Sequence, residues 1–266
     1  MLIDFIRKNI LLSDGHGIDH TLIICFFALT SLGFIMVTSA TLDHAYETRG
    51  NSFYFIIKHS IYLIMGIFLS VIISRIRLNF YNDYSKIFLF LSLIISLIIF
   101  IPGFGKEVNG ARRWLDLGFM TIQVSEVSRL FIMFWICSFI SRSDINKAFN
   151  KCLFMILALS TIILAQRDFG STALLIFTFF SLMLVAGLDL KKLLSYIMLA
   201  LIAAIPLIIY QPYRLQRVIS FLNPWDDPSG SGYQLIASLL AFGKGGIFGL
   251  GLGSSVQKLN YLPESY

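Results

Sequence analysis

The chain has 266 residues, of which 57% are hydrophobic and only 14% are charged. Soluble globular domains carry about a quarter charged residues, so this composition excludes an ordinary soluble domain and indicates an integral membrane protein. The formal net charge of +6 suits anionic lipids or an anionic substrate. Nucleic acid is not expected as a partner, because the basic residues are scattered among apolar runs instead of forming one face.

Seven apolar runs predict membrane-spanning helices, since a spanning helix needs about 20 mostly apolar residues. The fifth and sixth runs are short and closely spaced, so we expect tilted or partly broken helices there. The predicted fold is all-α, a polytopic transmembrane helical bundle. The seven runs cover residues 21–42, 52–74, 85–102, 123–140, 152–166, 171–188 and 193–210.

The lysines and arginines between the runs predict the orientation of the chain. Cytoplasmic loops are enriched in these residues, and a cytoplasmic N-terminus places most of them on the inner side. The chain then divides into a cytoplasmic segment (1–20), a membrane domain (21–210) and an extracytoplasmic loop (211–266). The sequence stops in that loop after an odd number of spans, so we expect a truncated polypeptide.

The first polar island, residues 105–130, contains the adjacent arginines Arg112 and Arg113. One interpretation is that they bind lipid headgroups at the interface, with Trp114 as an aromatic anchor. The other interpretation is that their guanidinium groups bind a phosphate, for which planar, paired donors are well suited. The residues alone leave both interpretations open.

Glu126 and Arg129 lie three residues apart on the fourth predicted span and therefore share one helix face. A charge near the centre of a bilayer costs about 2.5–3.5 kcal/mol on insertion scales, so we expect the two side chains to pair and face the bundle. This favours a structural clamp or cavity wall over a direct part in catalysis.

The second island, residues 165–172, interrupts the fifth and sixth runs and contains Gln166 and Asp168. An aspartate at a helix break is typical of an N-cap. The alternative is that these polar side chains form the rim of a substrate cavity on the outer side.

The third island reads "FLNPWDDPSGSGYQL" and spans residues 221–235. Pro224 and Pro228 fix φ on either side of Asp226 and Asp227, and the following glycines allow backbone geometries that other residues resist. This arrangement predicts a rigid loop that holds one carboxylate above the membrane. The alternative is an interfacial turn with ordinary aspartate turn chemistry.

The last island is rich in glycine and includes Lys244. Its G-x-G-x-G pattern lacks the strand, helix and acidic residue that a dinucleotide site needs. Glycine-rich backbone beside lysines instead suits the approach of amides to a pyrophosphate. Near the N-terminus, His16 and His20 with Asp14 and Asp19 resemble a set of metal ligands, but a solvated cytoplasmic turn before the first span is the favoured interpretation.

Five phrases resemble the SEDS family (shape, elongation, division and sporulation) of bacterial cell-wall polymerases. The last two are long and specific, and they resemble the division members more than the elongation members. The phrases, in chain order from residue 109, are "NGARRWLDLG", "IQVSEVSRL", "AQRDFGSTALL", "NPWDDPSGSGYQL" and "GLGSSVQKLNYLPE".

The resemblance implies a multi-pass glycosyltransferase of the bacterial inner membrane that joins lipid II units into glycan strands at the division septum. It implies three kinds of partner, namely lipid II, membrane lipids, and division proteins that include a class B penicillin-binding protein transpeptidase. The critical aspartate of the family corresponds to Asp227. Members normally have ten spans, which implies three further spans after Tyr266.

This sequence departs from the family pattern at two prolines. Val124 stands where the family usually has proline before Ser-Glu, and Arg167 stands between Gln166 and Asp168 where proline is usual.

For such a polymerase, a base must assist the attacking sugar hydroxyl, and positive charge must stabilise the departing lipid pyrophosphate. Asp227 is the candidate base, and Asp226 is its competitor within the loop. The positive charge comes either from side chains or from a divalent cation such as Mg²⁺. The candidate substrate-binding side chains are Arg112, Arg113, Arg214, Arg217 and Lys244.

Two rival functions remain open at the level of sequence. A lipid II flippase would suit charged groups inside the bundle but not a rigid external aspartate loop. A non-catalytic, truncated division protein would only recruit partners.

Overall fold

The structure is a computed structural model that describes residues 19–108, 111–118, 121–251 and 254. It is mostly helical, with one small antiparallel sheet and a 3₁₀ helix, Pro224–Asp226, in the described part. The strands are β1 (Gly105–Val108), β2 (Ala111–Asp116) and β3 (Thr121–Gln123). The helices are α1 (His20–Arg49), α2 (Tyr54–Ser74), α3 (Leu78–Asp83), α4 (Ser85–Ile98), α5 (Val124–Ser141), α6 (Ile145–Ala165), α7 (Phe169–Val185), α8 (Leu190–Ile209), α9 (Pro212–Leu222) and α10 (Tyr233–Gly245).

Each of the seven predicted spans corresponds to one helix of the structure. Five of these helices are long and apolar enough to cross a membrane, namely α1, α2, α5, α6 and α8. The other two, α4 and α7, are apolar but shorter, with 14 and 17 residues. The chain is a polytopic helical membrane protein, as the hydropathy pattern predicts.

Three predicted span boundaries are wrong. Helix α1 continues seven residues beyond the predicted end, to Arg49, and is followed by Gly50 in the left-handed conformation. Helix α4 ends at Ile98 because Pro102 and Gly103, which has φ 94°, form a turn that leads into the sheet. Helix α6 begins earlier than predicted, because the Asp144 carboxylate accepts hydrogen bonds from the N–H groups of Asn146 (3.0 Å) and Lys147 (3.3 Å) and caps the helix there.

The chain divides into two compact units, and the first includes residues 76–202. Its core is apolar and lies between α5, α6 and α7, where Ile132, Phe149 and Phe179 are fully buried. Helices α4 and α5 instead meet through buried serines, whose small side chains let two backbones approach closely.

The small sheet of the first unit was not predicted. Its strands are antiparallel in the order β1-β2-β3, and Trp114 on β2 pairs with Gln123 on β3. A Cβ at Gly105 would overlap the carbonyl oxygen of Ile99, so only glycine lets β1 start this close to the end of α4. Because α5 begins directly after β3, the sheet positions the first turn of α5.

The second unit includes residues 19–75 and the described residues from Ala203 onward. Helices α1 and α2 pack through stacked rings, Phe34 on His59 (5.7 Å between centroids) and His44 on Phe55 (5.6 Å). No residue of α2 is buried, which is the expected surface of a helix in lipid. The end of this unit, from α9 to α10, contains the candidate site.

Candidate functional site

The Asp227 carboxylate is held by three hydrogen bonds from its own loop. Oδ1 accepts from the Gly230 N–H (3.1 Å), and Oδ2 accepts from the Ser231 N–H (2.8 Å) and hydroxyl (3.1 Å). The Asp227 carbonyl oxygen accepts from the Gly232 N–H (3.0 Å), which closes the turn before α10. A carboxylate has about four acceptor positions, so one position on Oδ1 faces outward.

The two glycines of the loop serve a different purpose from the predicted one. Neither Gly230 nor Gly232 has a positive φ, so neither supplies a backbone geometry that other residues resist. A Cβ at Gly230 would instead overlap the Asp227 carboxylate, and a Cβ at Gly232 would overlap the carbonyl oxygen of Pro224. Both positions require glycine because the loop is packed tightly around Asp227.

The same hydrogen bonds lower the pKa of Asp227. The main cause is the Ser231 N–H, followed by the Ser231 hydroxyl, because donors stabilise the charged form of a carboxyl group. Asp227 is therefore an ionised, exposed carboxylate at neutral pH. It can accept a hydrogen bond from a sugar hydroxyl or contact a cation, but it holds a proton weakly.

The neighbouring Asp226 has a different environment. Its Oδ1 accepts one hydrogen bond, from the Asn223 amide (2.6 Å), and it ends the 3₁₀ helix that begins at the buried Pro224. The loop therefore distinguishes two adjacent carboxylates that the residues alone do not. Asp227 is the one around which the turn is built.

Three candidate phosphate contacts belong to the same unit as Asp227. Arg214 Nη1 donates to the Leu207 carbonyl oxygen (2.8 Å) near the end of α8. The Arg217 guanidinium lies 4.7 Å from the centre of the Tyr213 ring. Lys244 is exposed in the last turn of α10. All three stay candidates for contacts with an anionic substrate.

Arg112 and Arg113 lie in the other unit, on β2, where successive side chains point to opposite faces. Arg112 pairs with Glu107 on β1 (3.3 Å), whereas Arg113 Nη2 donates to the Arg167 carbonyl oxygen (2.9 Å). The Arg113 Nε–H is buried and has no acceptor among the described residues. The two arginines are thus separate candidates and do not converge on one point.

Glu126 and Arg129 form the predicted ion pair in the first two turns of α5. The pair is only partly buried, with the Glu126 side chain 48% exposed and the Arg129 side chain 24% exposed. Glu126 also lies in the first turn of the helix, where a negative charge is favourable. The contact supports a clamp within α5, while a role as a cavity wall stays a prediction.

We expect the single substitutions Glu126→Ala and Arg129→Ala each to destabilise the protein, because each leaves a charge without its partner. The double substitution should cost less than the sum of the two, with an interaction energy of about 1 kcal/mol. Thermal unfolding of the purified variants in detergent measures all three differences. Strictly additive losses would show that the pair does not act as a clamp.

Asp168 caps α7 and is buried, as Gln166 beside it is. Its Oδ1 accepts from the Ser171 N–H (3.1 Å), which confirms the N-cap interpretation. Its Oδ2 accepts from the hydroxyls of Ser171 (2.7 Å) and Ser125 (3.3 Å) and from the Gln123 amide (3.2 Å). The carboxylate thereby joins the ends of β3, α5 and α7.

A second group of buried polar contacts joins α4 to α5 and to the end of α6. Gln166 Nε2 donates to the Ser96 carbonyl oxygen (2.8 Å), and the Ser96 hydroxyl donates to the Ser128 hydroxyl (2.7 Å). The Ser92 hydroxyl donates to the Ser128 carbonyl oxygen (2.9 Å). These serines were not singled out from the sequence, although Ser92 and Ser96 lie four residues apart on one face of an apolar helix.

Two further features bear on the predicted site. Among the described residues, no three His, Cys, Asp or Glu side chains form a group that could hold a metal ion. Lys258, the second lysine of the glycine-rich island, lies outside the described residues.

Residues 19–266 match the family of cell cycle proteins that comprises FtsW, RodA and SpoVE. The chain belongs to this family. Two curated FtsW/RodA/SpoVE relatives are named probable peptidoglycan glycosyltransferase FtsW. The one from Coxiella burnetii is 40% identical over 93% of this chain and 68% of its own length. The one from Escherichia coli O6:H1 is 39% identical over 93% of this chain and 61% of its own length.

Two solved structures share the fold of this family member. A chain of a peptidoglycan synthase complex that coordinates polymerization and crosslinking has a TM-score of 0.62 and 25% identity, over 81% of this chain and 64% of that chain. The rod shape determining protein RodA of Thermus thermophilus has a TM-score of 0.57 and 22% identity, over 71% and 61% of the two chains. The chain thus spans about two thirds of the length of the proteins it matches.

Proposed function

We propose that this chain acts in a peptidoglycan glycosyltransferase that polymerises lipid II into glycan strands at the division septum. The observation that carries the proposal is the exposed Asp227 carboxylate, which a compact loop holds by three hydrogen bonds. The names of the FtsW relatives at about 40% identity support the same activity.

In the proposed reaction, a sugar hydroxyl of one substrate attacks the anomeric carbon of another, and a lipid pyrophosphate departs. Asp227 accepts a hydrogen bond from the attacking hydroxyl through the outward position on Oδ1, orients it, and receives its proton as the glycosidic bond forms. Because its pKa is lowered, Asp227 is charged before the substrate arrives. The bond to the pyrophosphate breaks as the new bond forms.

The departing pyrophosphate needs positive charge. Arg214, Arg217 and Lys244 are the candidates for supplying it in the unit that contains Asp227. Arg112 and Arg113 stay candidates on the basis of the sequence. A divalent cation such as Mg²⁺, bound with the substrate, would provide the same neutralisation. Glu126, Arg129, Gln166 and Asp168 support the protein framework and do not react.

We place the protein in the bacterial inner membrane with residues 1–20 in the cytoplasm, 21–210 in the membrane and 211–266 outside. The proposed partners are lipid II, membrane lipids, a class B penicillin-binding protein transpeptidase and other division proteins. The fold shared with a chain of a peptidoglycan synthase complex supports the partnership with a transpeptidase.

The function is tested by supplying fluorescent lipid II to the purified full-length protein in detergent and separating the products by size. We expect glycan strands that lysozyme digests. Transfer of lipid II across a vesicle membrane without polymer formation would overturn the proposal in favour of a flippase. If neither polymer nor transfer is observed, a non-catalytic role is indicated.

The orientation gives a separate prediction. A cysteine at the exposed Ser229, in a background without Cys25, Cys137 and Cys152, should react with a membrane-impermeant maleimide in intact spheroplasts. A cysteine at the exposed Lys147, in the first turn of α6, is the control and should react only after lysis. The reverse pattern would place the Asp227 loop in the cytoplasm and contradict the proposed function.

A further inference from the structure

Helix α9 has one continuous apolar stripe that the described residues leave uncovered. The stripe consists of Leu215, Val218, Ile219 and Leu222, which follow the i, i+3, i+4, i+7 spacing of an amphipathic helix. No residue of α9 is buried, and Leu222 at the end of the stripe is 77% exposed. Such a stripe needs an apolar environment.

The position of α9 in the chain indicates which environment that is. Helix α8 is apolar and long enough to cross a membrane and ends at Ile209, and α9 begins at Pro212. Arg214 Nη1 donates to the Leu207 carbonyl oxygen (2.8 Å), which ties the first turn of α9 to the end of the span. With 11 residues, α9 is too short to cross a bilayer and starts at its surface.

The charges of α9 fit an anionic lipid surface. The helix contains Arg214 and Arg217 and no acidic residue. Arg217 lies on the side of the helix that includes Gln216 and Ser220, whereas Arg214 borders the apolar stripe next to Val218. Arg217 lies over the ring of Tyr213, an aromatic residue of the kind that is enriched where a membrane meets water. Basic side chains opposite an apolar stripe are typical of helices that lie in the interface.

We propose that α9 lies in the plane of the membrane interface, with its apolar stripe among the lipid chains and its arginines among anionic headgroups. The Ser220 hydroxyl on the polar side donates to the Ser231 hydroxyl (2.7 Å), and Ser231 in turn donates to Asp227. The helix therefore sets the depth of the Asp227 loop at the level of the headgroups. That this depth serves the reaction of a lipid-linked substrate rests on the proposed function, but the binding of α9 to lipid does not.

The test uses the full-length protein without native cysteines, with an environment-sensitive fluorophore on Val218→Cys or, as the matched control, on Gln216→Cys. The protein is placed in phosphatidylcholine vesicles with and without phosphatidylglycerol. We expect a spin-labelled lipid to quench the label at residue 218 at least about threefold more than the label at residue 216, and aqueous iodide to show the opposite order. Equal quenching at the two positions by both reagents would overturn the proposal.

Two further outcomes decide what covers the stripe. Blue-shifted emission at residue 218 that the spin-labelled lipid does not quench would show that protein covers it, and would overturn the proposal. Arg217→Gln should increase iodide access to residue 218 in vesicles with phosphatidylglycerol and leave it unchanged without that lipid. If Arg217→Gln changes iodide access in neither kind of vesicle, the part of the proposal that concerns anionic headgroups is wrong. Because no lipid II is present, these outcomes do not depend on polymerisation.

Discussion

Replacing Asp227 with asparagine is expected to lower the rate of glycan polymerisation by at least about a hundredfold, the lower end of what a general base contributes. The amide oxygen can still accept from the Ser231 N–H and hydroxyl, so most of the loop is retained. The substituted side chain cannot take a proton and carries no charge for a hydroxyl or a cation. The rate is measured with fluorescent lipid II on equal amounts of folded protein.

Two control variants separate chemistry from loop structure. Asp226→Asn makes the same change on the adjacent residue, which accepts a hydrogen bond from Asn223, and we expect a change in rate of less than about threefold. Ser231→Ala removes one hydrogen bond to Asp227 but keeps the carboxylate, and it should retain most activity. Near-normal polymerisation by Asp227→Asn would show that the base lies elsewhere. If Ser231→Ala loses as much rate as Asp227→Asn, the loop rather than the charge is what matters.

The lowered pKa of Asp227 sets the expected dependence on pH. At every pH above the ordinary pKa of an aspartate, Asp227 is ionised and its hydrogen bonds stabilise the loop. The charge and this stabilisation are both lost as the pH falls through the lowered pKa of Asp227. Titration of Asp227 should therefore not change the polymerisation rate between about pH 5 and pH 8. In the Ser231→Ala variant the pKa should rise towards the ordinary value.

The second large effect is expected at Asp168. Asp168→Ala removes the cap of α7 and leaves the buried Ser171 N–H and hydroxyl without their acceptor. Gln123 and Ser125 lose their hydrogen bonds to the carboxylate and keep only those to the Ser171 hydroxyl. Adding a lost cap to the cost of unsatisfied buried donors gives a destabilisation of about 2–4 kcal/mol. The measurement is thermal unfolding in detergent, together with the amount of folded protein recovered from membranes.

Asp189→Ala is the matched control for this substitution. Asp189 also accepts a hydrogen bond from the N–H three residues later, Lys192 (3.0 Å), but it is exposed. Its loss should cost about 1 kcal/mol, the usual value for a cap alone. Equal losses for the two variants would mean that the contacts of Asp168 with β3 and α5 contribute nothing beyond capping.

The sequence predicts the helices of this protein better than its polar contacts. The helical bundle and the family resemblance are confirmed, because hydropathy and long motifs are properties of adjacent residues. All seven predicted spans are helices, and five of them are long enough to cross a membrane. The strands of the sheet were missed because they have only three to six residues and alternate weakly between apolar and polar. The predicted roles of Asp227 and of the candidate cations stay predictions.

The Asp168 cap was predictable because its partner, Ser171, follows three residues later. The contacts with Gln123 and Ser125 were not, because they depend on how α5 and α7 pack and no local pattern signals them. The glycines of the Asp227 loop show a related limit. Their presence predicted a tight turn, but only the structure reveals that missing Cβ atoms, and not unusual φ values, are what the turn requires.

The Asp227 loop and the contacts of Asp168 also differ in when they can form during synthesis. Each hydrogen bond named here in the Asp227 loop joins residues no more than 11 positions apart. Closing so short a segment costs little chain entropy, so the loop can take its shape soon after it emerges from the membrane. The contacts of Asp168 with Gln123 and Ser125 close segments of 45 and 43 residues. They form only once the helices have been inserted and assembled, so a defect in assembly would disrupt the Asp168 contacts while the Asp227 turn was already complete.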